Sequence, residues 1–243
     1  IRKLVFCYIK QKKFDKNISN IYFLIHLPIE HMFTDRFCRF IFSMYRGKKL
    51  VLATNNFNKK KEMVAILKNL SLDIIGLDRF PEIGNIEESG KTLIDNAFIK
   101  ARAVFEATGL SSLADDTGLE VDVLNGAPGV YSARYAGQNP SPQDNINKLL
   151  KALYGYEEEE RNAQFRTIVA FVDSEQEFFS EGIIKGRIIK ASKGSKGFGY
   201  DSIFKPNCSD QTFAQMNQNE KNKISHRAIA LVNMKKKLKK IIR

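Results

Sequence analysis

The sequence predicts an α/β domain built on a mixed central sheet. From Lys49 the apolar run KLVLAT is followed by a helical pattern and by a second apolar run, LDIIGL, which gives the order strand, helix, strand. Two longer apolar runs, QFRTIVAFVD and FFSEGIIKGRII, lie in the second half of the chain. Helical segments separate these groups of strands, and this alternation favours helices packed on a sheet.

The helices of the first half are predicted from apolar spacing and from capping residues. Apolar side chains recur at helical spacing over 59–70. A polar loop with Pro, Gly and several acids precedes the second helix. Thr92 and Asp95 form a capping-box pattern that opens this helix at 93–108, and Gly109 ends it.

The middle of the chain continues the alternation. The runs SLAD and LEVDVL predict two strands that flank an Asp-Asp pair. Residues 125–140 form a loop rich in Gly and Pro. Ser141 followed by Pro142 opens the next helix, with Ser as the cap and Pro in the first turn.

The last elements are a broken strand and a helix. We expect the strand FFSEGIIKGRII to be interrupted at Gly182 and Gly186. The Gly-rich loop KGSKGFGYD follows it. Ser225 then caps a terminal helix at 226–241.

The positive charge of the chain is concentrated at its two ends. The formal net charge is +12, yet residues 44–234 carry 25 basic and 24 acidic residues. Composition therefore gives no support to a nucleic-acid-binding groove inside the main domain. For the KKKLKK segment near the C-terminus we expect a solvated helix end, which the helix dipole favours. Binding of nucleic acid or of an anionic membrane surface is the alternative.

The cysteines and the apolar runs bear on the cellular compartment. Cys7, Cys38 and Cys208 are too few and too scattered for a disulfide framework or a zinc site, which is typical of a cytosolic protein with reduced thiols. No apolar run of the sequence approaches the roughly 20 residues that span a membrane. We therefore expect a cytoplasmic protein without a membrane partner.

Residues 1–46 differ in composition from the rest of the chain. They lack glycine, are dense in Phe, Tyr, Ile, Lys and Asn, and show poor apolar periodicity. A targeting presequence would be richer in Ser and Arg. We expect this leader to lie outside the functional domain, which then spans 47–243. Our hypothesis is that translation starts at Met32 or Met44.

The segment LVLATNNFNKKKEMVAIL has the features of a phosphate-binding turn. The chain leaves a strand through Thr54, Asn55 and Asn56 and enters a helix whose first turns carry lysines from Lys59 onward. Free backbone N–H groups at a helix N-terminus, with a lysine nearby, suit a phosphate chain. An ordinary Asn-capped helix with solvated lysines is the alternative.

Two acidic pairs could serve a metal ion. Glu87-Glu88 lies in the loop before the capped helix, and Asp115-Asp116 lies among apolar residues. Adjacent carboxylates repel each other, so the second pair requires a cation or a shared proton. Together the two pairs can hold Mg²⁺, which binds carboxylate and phosphate oxygens. A solvated loop is the alternative for the glutamates.

Three further groups carry weaker signals. Lys100 follows Asn96 by four residues, so both can face one side of their helix. The FGYD segment places an aromatic ring and an acid after a flexible loop, where they can stack on and orient a base. His226 and Arg227 occupy the first turn of the last helix, where cations oppose the dipole unless an anion or an acceptor is bound. A surface lysine and a loop hinge are the alternatives for the first two groups.

The order of these segments resembles a known family. ATNNFNK, SGKTLIDNAFIKAR, ADDTGLEVDVLNGAPGVYSARYAG, GFGYDSIF and EKNKISHRAIAL strongly resemble the inosine triphosphate pyrophosphatases, which act on non-canonical purine nucleoside triphosphates. The resemblance covers about Lys49 to Leu238. It implies two lobes around a nucleotide cleft and a homodimer. It also implies Mg²⁺-dependent hydrolysis of dITP, ITP and XTP to the monophosphate and pyrophosphate, which cleanses the nucleotide pool.

The resemblance also implies roles for individual residues. Asp116 matches the proton acceptor, and Glu87 and Asp116 match the metal-linked acids, with Asp115 and Glu88 in support. The residues that match substrate contacts are Thr54, Asn55, Asn56, Phe57, Asn58, Lys59, Lys100, Thr117, Phe198, Gly199, Tyr200, Asp201, Lys221, His226 and Arg227. Asn55 departs from the family, which commonly has Gly at that point, and this puts the conformation of the turn in question.

Two other functions stay open at the level of sequence. The related Maf-type nucleotide pyrophosphatases act on other nucleotides, but they would lack the TNNxxK start and the SHR helix. A nucleic-acid or anionic-surface binding module that uses the basic ends is the alternative from another class. The way in which guanine, which also has a 6-oxo group, would be excluded does not follow from the residues.

Overall fold

The computed structural model describes residues 49–68 and 70–241, which form seven strands and five α-helices. The strands are β1 (Lys49–Leu52), β2 (Asp73–Gly76), β3 (Ser112–Val121), β4 (Pro128–Gly129), β5 (Asn162–Val172), β6 (Glu177–Ile188) and β7 (Phe204–Pro206). The helices are α1 (Phe57–Leu67), α2 (Leu93–Thr108), α3 (Pro142–Ala152), α4 (Gln218–Ile224) and α5 (His226–Ile241). The predicted leader and its boundary with the domain lie outside the described residues, so that boundary stays a prediction.

The strands form one mixed sheet, as the sequence predicts. Their order is β2-β1-β3-β5-β6-β7, and β4 pairs with the end of β3. β1 is parallel to both β2 and β3, and the remaining neighbours are antiparallel. A parallel pair needs a crossover connection, which α1 supplies between β1 and β2, whereas a short turn is enough to join β5 to β6.

Helices cover both faces of the sheet. Helix α2 packs on one face, against Val51, Ala114 and Ile168. Helices α1 and α5 pack on the other face, against Leu52, Leu113 and Val169. Since side chains alternate along a strand, neighbouring residues of β3 contact different helices. Within the described residues, no helix combines the length and the apolarity needed to cross a bilayer.

The predicted helix caps are confirmed. The Thr92 hydroxyl accepts from the Asp95 amide at 3.1 Å, and the Asp95 carboxylate accepts from the Thr92 amide at 3.1 Å. Gly109 ends this helix in the left-handed conformation, at φ 64°. Ser141 forms the same kind of box at the start of α3, and the Ser225 hydroxyl accepts from a backbone amide of α5 at 3.2 Å.

Two predictions for strands are wrong. The run SLAD and the first half of LEVDVL belong to a single strand, β3, so the Asp pair lies inside a strand and not between two. The strand β6 is continuous through Gly182 and Gly186, both of which keep their partners in the ladder with β5. The short helix α4 lies in a segment where the sequence predicts no helix.

Gly182 allows α5 to lie directly on β6. A Cβ atom at this position would lie 2.1 Å from the carbonyl oxygen of His226 and 2.4 Å from the amide nitrogen of Ala230. Both are backbone atoms of α5, so they cannot yield as a flexible side chain would. The glycine therefore sets the height at which the first turn of α5, with His226 and Arg227, sits above the sheet.

Gly182→Ala is expected to lower the free energy of unfolding by about 1–3 kcal/mol, because the added methyl group overpacks the contact between β6 and α5. Urea denaturation followed by circular dichroism measures this. Lys185→Ala is the matched control, since Lys185 lies on the same strand and is exposed. Equal midpoints for the two variants would contradict the close approach of α5.

Candidate active site

A cleft of about 530 Å³ opens beside the turn that follows β1. The middle of β3, the 198–201 loop, α4 and the start of α5 contribute to its lining, together with the segments 85–88 and 130–145. Its size is within the range of small-molecule sites. The predicted residues that line it are Thr54, Asn55, Asn56, Asn58, Lys59, Lys100, Asp116, Thr117, Phe198, Gly199, Tyr200, Asp201, Lys221, His226 and Arg227. These residues are spread over more than 170 positions of sequence, and the fold brings them together.

Two predicted residues do not line the cleft. Phe57, the first residue of α1, is 75% exposed, so its side chain does not contact the site. Glu87 is exposed and does not line the cleft, whereas its neighbours Ile86 and Glu88 do. Glu88, and not Glu87, therefore lies at the cleft with Asp116, and the metal role of Glu87 stays a prediction.

The turn between β1 and α1 is held by its own side chains. The Asn56 carboxamide oxygen caps α1 by accepting from the Lys59 amide at 3.1 Å, and the Thr54 hydroxyl accepts from the Asn56 amide at 3.2 Å. The Asn55 amide group donates to the Asn85 side chain at 3.1 Å. Among the described non-glycine residues, only Asn125 and Asn139 have positive φ. Asn55 therefore fits the turn without strain, although the resembling family commonly has Gly there.

Asp115 and Asp116 do not share a cation, because they lie on opposite faces of β3. Asp115 faces α1 and α5, where it pairs with Arg227 at 2.9 Å and with Lys59 at 3.3 Å. Asp116 faces α2, where it pairs with Lys100 at 3.1 Å. The sequence predicts one metal ion or one proton for the pair. The fold instead gives each carboxylate a cation of its own.

Asp116, Lys100 and Glu88 form one group at the edge of the cleft. The Lys100 ammonium donates to Glu88 at 2.6 Å and to Asp116 at 3.1 Å. Burial raises the pKa of Asp116, and Lys100 and Lys59 oppose that rise only in part. The second carboxylate oxygen of Asp116 has no hydrogen-bond partner within the described residues. Asp116 is thus a buried carboxyl group of raised basicity with one free oxygen.

On the opposite face of β3, Arg227 is held by three groups. Its guanidinium contacts Glu62 at 2.5 Å, Asp115 at 2.9 Å and the Thr117 hydroxyl at 3.1 Å. Only 1% of Arg227 is exposed. Sequence reasoning missed Glu62. The available signal was its position beside Met63 on the apolar stripe of α1, where a carboxylate needs a partner.

His226 lies at the floor of the cleft as a neutral imidazole. Its ring stacks on Phe165, with the centroids 4.5 Å apart. Burial, together with the positive charges of Arg227 and Lys221, holds the pKa of His226 well below its usual range. Its Nδ1 atom has no hydrogen-bond partner within the described residues. Phe165 is a further lining residue that the sequence did not single out.

His226→Phe is expected to make the protein less sensitive to acid. The folded pKa of His226 is depressed, so below about pH 6.5 the unfolded chain binds a proton that the folded chain does not. The wild-type protein should lose about 1.4 kcal/mol of stability for each pH unit of descent from this one group, and the variant should not. Urea denaturation from pH 7 to pH 5 measures the difference. Carboxylates titrate alike in both proteins, so their contributions cancel when the two proteins are compared. Parallel curves of unfolding free energy against pH would contradict a neutral buried His226.

The 198–201 loop lines the cleft and is held by several hydrogen bonds. The Asp201 carboxylate accepts from the Phe198 amide at 2.8 Å and from Lys221 at 2.5 Å. The Tyr200 hydroxyl donates to the Ser132 carbonyl oxygen at 2.9 Å. The second half of the loop is therefore fastened to α4 and to the segment after β4, and the loop is more than a hinge.

Comparison with known proteins places this chain in a family. The model of the Ham1 family matches residues 50–237. A relative from Thermoanaerobacter pseudethanolicus, named dITP/XTP pyrophosphatase, is 43% identical over 187 residues, which are 77% of this chain and 94% of the relative. A protein of the same name from Desulforamulus reducens is 46% identical over 184 residues, covering 75% of this chain and 92% of the relative.

The chain belongs to the Ham1 family.

A solved structure agrees with the family assignment. The structure of a HAM1 protein from Coxiella burnetii is 38% identical, has a TM-score of 0.73, and covers 79% of this chain and 99% of that chain. The Ham1 assignment confirms the resemblance inferred from the motifs, and the α/β fold with its mixed sheet is confirmed with it. The cleft is formed by residues within the Ham1 match.

The basic C-terminal segment is part of a packed helix. Within α5 the Lys235 ammonium donates to the carbonyl oxygen of Ile66 at 2.9 Å. The Lys237 ammonium donates to the carbonyl oxygen of Phe179 at 2.6 Å. Two lysines of the KKKLKK segment thus fasten α5 to α1 and β6, which supports the interpretation as a charged helix end.

Proposed function

We propose that this protein hydrolyses non-canonical purine nucleoside triphosphates, dITP, ITP and XTP, to the monophosphate and pyrophosphate. The observation that carries the proposal is Asp116, a buried carboxylate of raised pKa whose free oxygen lies at a cleft beside Lys100 and Glu88. Asp116 thus has the position and the basicity of a general base. The names of the relatives supply the substrate class.

The turn before α1 suits the triphosphate. The first N–H groups of a helix are free to donate to anions, and the helix dipole favours negative charge at that end. Asn56 and Lys59 are located there, and the ammonium group of Lys59 is held near the cleft by Asp115. We assign the triphosphate to this turn and to Lys100.

A divalent cation fits the acidic side of the cleft. The charged side chains in and behind it balance: Lys59, Lys100, Arg134, Lys221 and Arg227 face Glu62, Glu88, Asp115, Asp116 and Asp201. These side chains alone therefore leave no surplus of positive charge for a triphosphate. Within the described residues, no three His, Cys, Asp or Glu side chains converge to hold an ion.

Mg²⁺ matches such a site, because it commonly takes one or two carboxylates and fills its other positions with phosphate oxygens and water. Asp116 and Glu88, which both line the cleft, would hold it. When bound, the ion supplies positive charge that neutralises the phosphate oxygens of the substrate.

The reaction is a displacement at the α-phosphorus. Asp116 accepts a proton from a water molecule whose oxygen forms the new bond to phosphorus. The bond from the α-phosphorus to the bridging oxygen breaks, and that oxygen leaves with pyrophosphate. Lys100 and Lys59 stabilise the negative charge that gathers on the phosphates.

Base selection is assigned to the floor of the cleft. A 6-oxo purine offers an acceptor where adenine offers an amino donor. Arg227 uses three of its N–H groups on Glu62, Asp115 and Thr117, and the rest are free to donate. A neutral His226 carries one ring N–H. Such donors favour the 6-oxo group and leave the adenine amino group unpaired.

The proposal extends to assembly and location. The family resemblance implies a homodimer, and nucleotide substrates together with only three scattered cysteines favour the cytoplasm. Cys208 is an exposed free thiol. Light scattering after size exclusion measures the mass of the assembly, and a monomeric mass at micromolar concentration would refute the dimer.

The deciding experiment separates phosphate from pyrophosphate as products. The purified protein is incubated with Mg²⁺ and, in parallel, with deoxyinosine, xanthosine, adenosine and guanosine triphosphates. We expect pyrophosphate from the first two, little from the others, and none in the presence of EDTA. Orthophosphate alone, or no product, would overturn the proposal. Pyrophosphate from another nucleotide would keep the chemistry and overturn the specificity.

A further inference from the structure

Glu62 is a buried carboxylate behind the cleft that the mechanism above does not use. It lies in the second turn of α1 and is 3% exposed. One of its oxygens contacts Arg227 at 2.5 Å, and the other contacts Lys221 at 3.2 Å. Each oxygen thus holds a different cation, one at the start of α5 and one from α4.

Both cations also contact residues that line the cleft. Lys221 also pairs with Asp201 at 2.5 Å, and Arg227 donates to the Thr117 hydroxyl at 3.1 Å. The Phe198 ring lies against both, with its centroid 4.7 Å from the Lys221 ammonium and 5.5 Å from the Arg227 guanidinium. One carboxylate, Glu62, therefore contacts both of the cations against which the aromatic ring lies.

The position of Glu62 in α1 links this side to the triphosphate side. Lys59 lies one helical turn before Glu62, and the turn that ends in Asn56 caps the same helix. A rigid helix thus joins the proposed phosphate contacts to the carboxylate that fixes Lys221 and Arg227. The spacing between the two halves of the cleft is set through about two turns of α1.

Core stability does not account for a carboxylate here. Buried ion pairs often stabilise a fold no better than apolar side chains of the same volume. Burial alone would raise the pKa of Glu62, but Arg227 and Lys221 outweigh it and hold the pKa below its usual range, so the group is ionised.

We propose that Glu62 is a positioning and specificity-determining residue. It holds Lys221 and Arg227, and through them Phe198, in the positions from which they contact the base of the nucleotide. The proposal rests on the function proposed above. Glu62 acts through these residues and does not touch the reacting atoms, since Asp116 and Lys100 lie on the other face of β3.

Glu62→Gln tests this role, because glutamine has the same shape but can accept hydrogen bonds at only one of its two terminal atoms. We expect KM for deoxyinosine triphosphate to rise by about tenfold and kcat to stay within about threefold, since the group around Asp116 is left intact. The preference for deoxyinosine over deoxyadenosine triphosphate in kcat/KM should fall by about tenfold. Steady-state kinetics of pyrophosphate release gives all three quantities.

Two controls separate positioning from a loss of folded protein. Glu177→Gln removes an exposed carboxylate that pairs with Arg102 at 2.6 Å, and neither residue lines the cleft, so this variant should leave all three quantities unchanged. Partial unfolding lowers apparent kcat and leaves KM and the preference unchanged, and that pattern in Glu62→Gln would refute the role. If Glu62→Gln fails to fold, Glu62→Asp keeps the charge and draws it back by one methylene, and the same rise in KM at nearly constant kcat is expected.

The wild-type protein separates this inference from the proposed function. If the wild type releases no pyrophosphate from any nucleotide, the proposed function fails. If the wild type is active and Glu62→Gln keeps its KM and its preference, the role of Glu62 alone fails. Should the wild type prefer another nucleotide, the same split between KM and kcat is expected with that one.

Discussion

Asp116→Asn is expected to lower kcat by at least about 100-fold while nucleotide binding persists, because the amide keeps the shape of the side chain but cannot accept a proton. The contacts proposed for the triphosphate, the turn before α1 and Lys100, do not depend on that proton. Pyrophosphate release under saturating deoxyinosine triphosphate measures kcat. Titration calorimetry with the same nucleotide measures binding.

The fold of this variant should survive. Burial raises the pKa of Asp116, so its ionised form costs folding free energy, and Lys100 keeps Glu88 as a partner at 2.6 Å after the substitution. Asp122→Asn is the control, because Asp122 is an exposed carboxylate six positions along the chain. Turnover by Asp116→Asn within a few-fold of this control would refute the assignment of the base.

Asp115→Asn is expected to do the opposite and to unfold the protein without removing the base. Asp115 is 1% exposed and pairs with Arg227 and Lys59. Removing one partner of a buried ion pair typically costs about 3–5 kcal/mol, because the other charges stay buried without compensation. Urea denaturation of the metal-free protein measures the loss.

The two aspartates form a matched pair of experiments. They are adjacent and both are changed to Asn, yet one variant should lose activity at nearly normal stability and the other should lose stability. This separation follows from the opposite faces of β3 on which they lie. Equal losses of stability in Asp115→Asn and Asp116→Asn would contradict it.

Local features of the fold could be predicted from the sequence because they depend on neighbouring residues. The capping box of Thr92 and Asp95 and the Gly109 end of α2 involve contacts within one or two turns. The motif ATNNFNK gave the turn before α1 for the same reason. Most candidate site residues were found through the order of such motifs, and the fold places them in one cleft.

The continuity of β6 could not be predicted in this way. Glycine weakens a strand in isolation, and the pattern therefore indicated breaks at Gly182 and Gly186. The reason for Gly182 lies in α5, about 45 positions further on, whose backbone occupies the space that a side chain would fill. A sequence read in local windows contains no sign of that approach.

The sequence by itself determined the family, the class of fold and the identity of most residues at the cleft, because motifs and helix caps consist of residues that are close together in the chain. Only the tertiary structure decided the partners of the charges. It paired Asp115 with Arg227 and Asp116 with Lys100, placed Glu88 at the cleft while Glu87 is exposed, and buried Glu62 against a cation 165 positions away. The physical reason is that an ion pair depends on which face of a strand or helix a side chain occupies. That face is fixed by packing between elements that are distant in the chain.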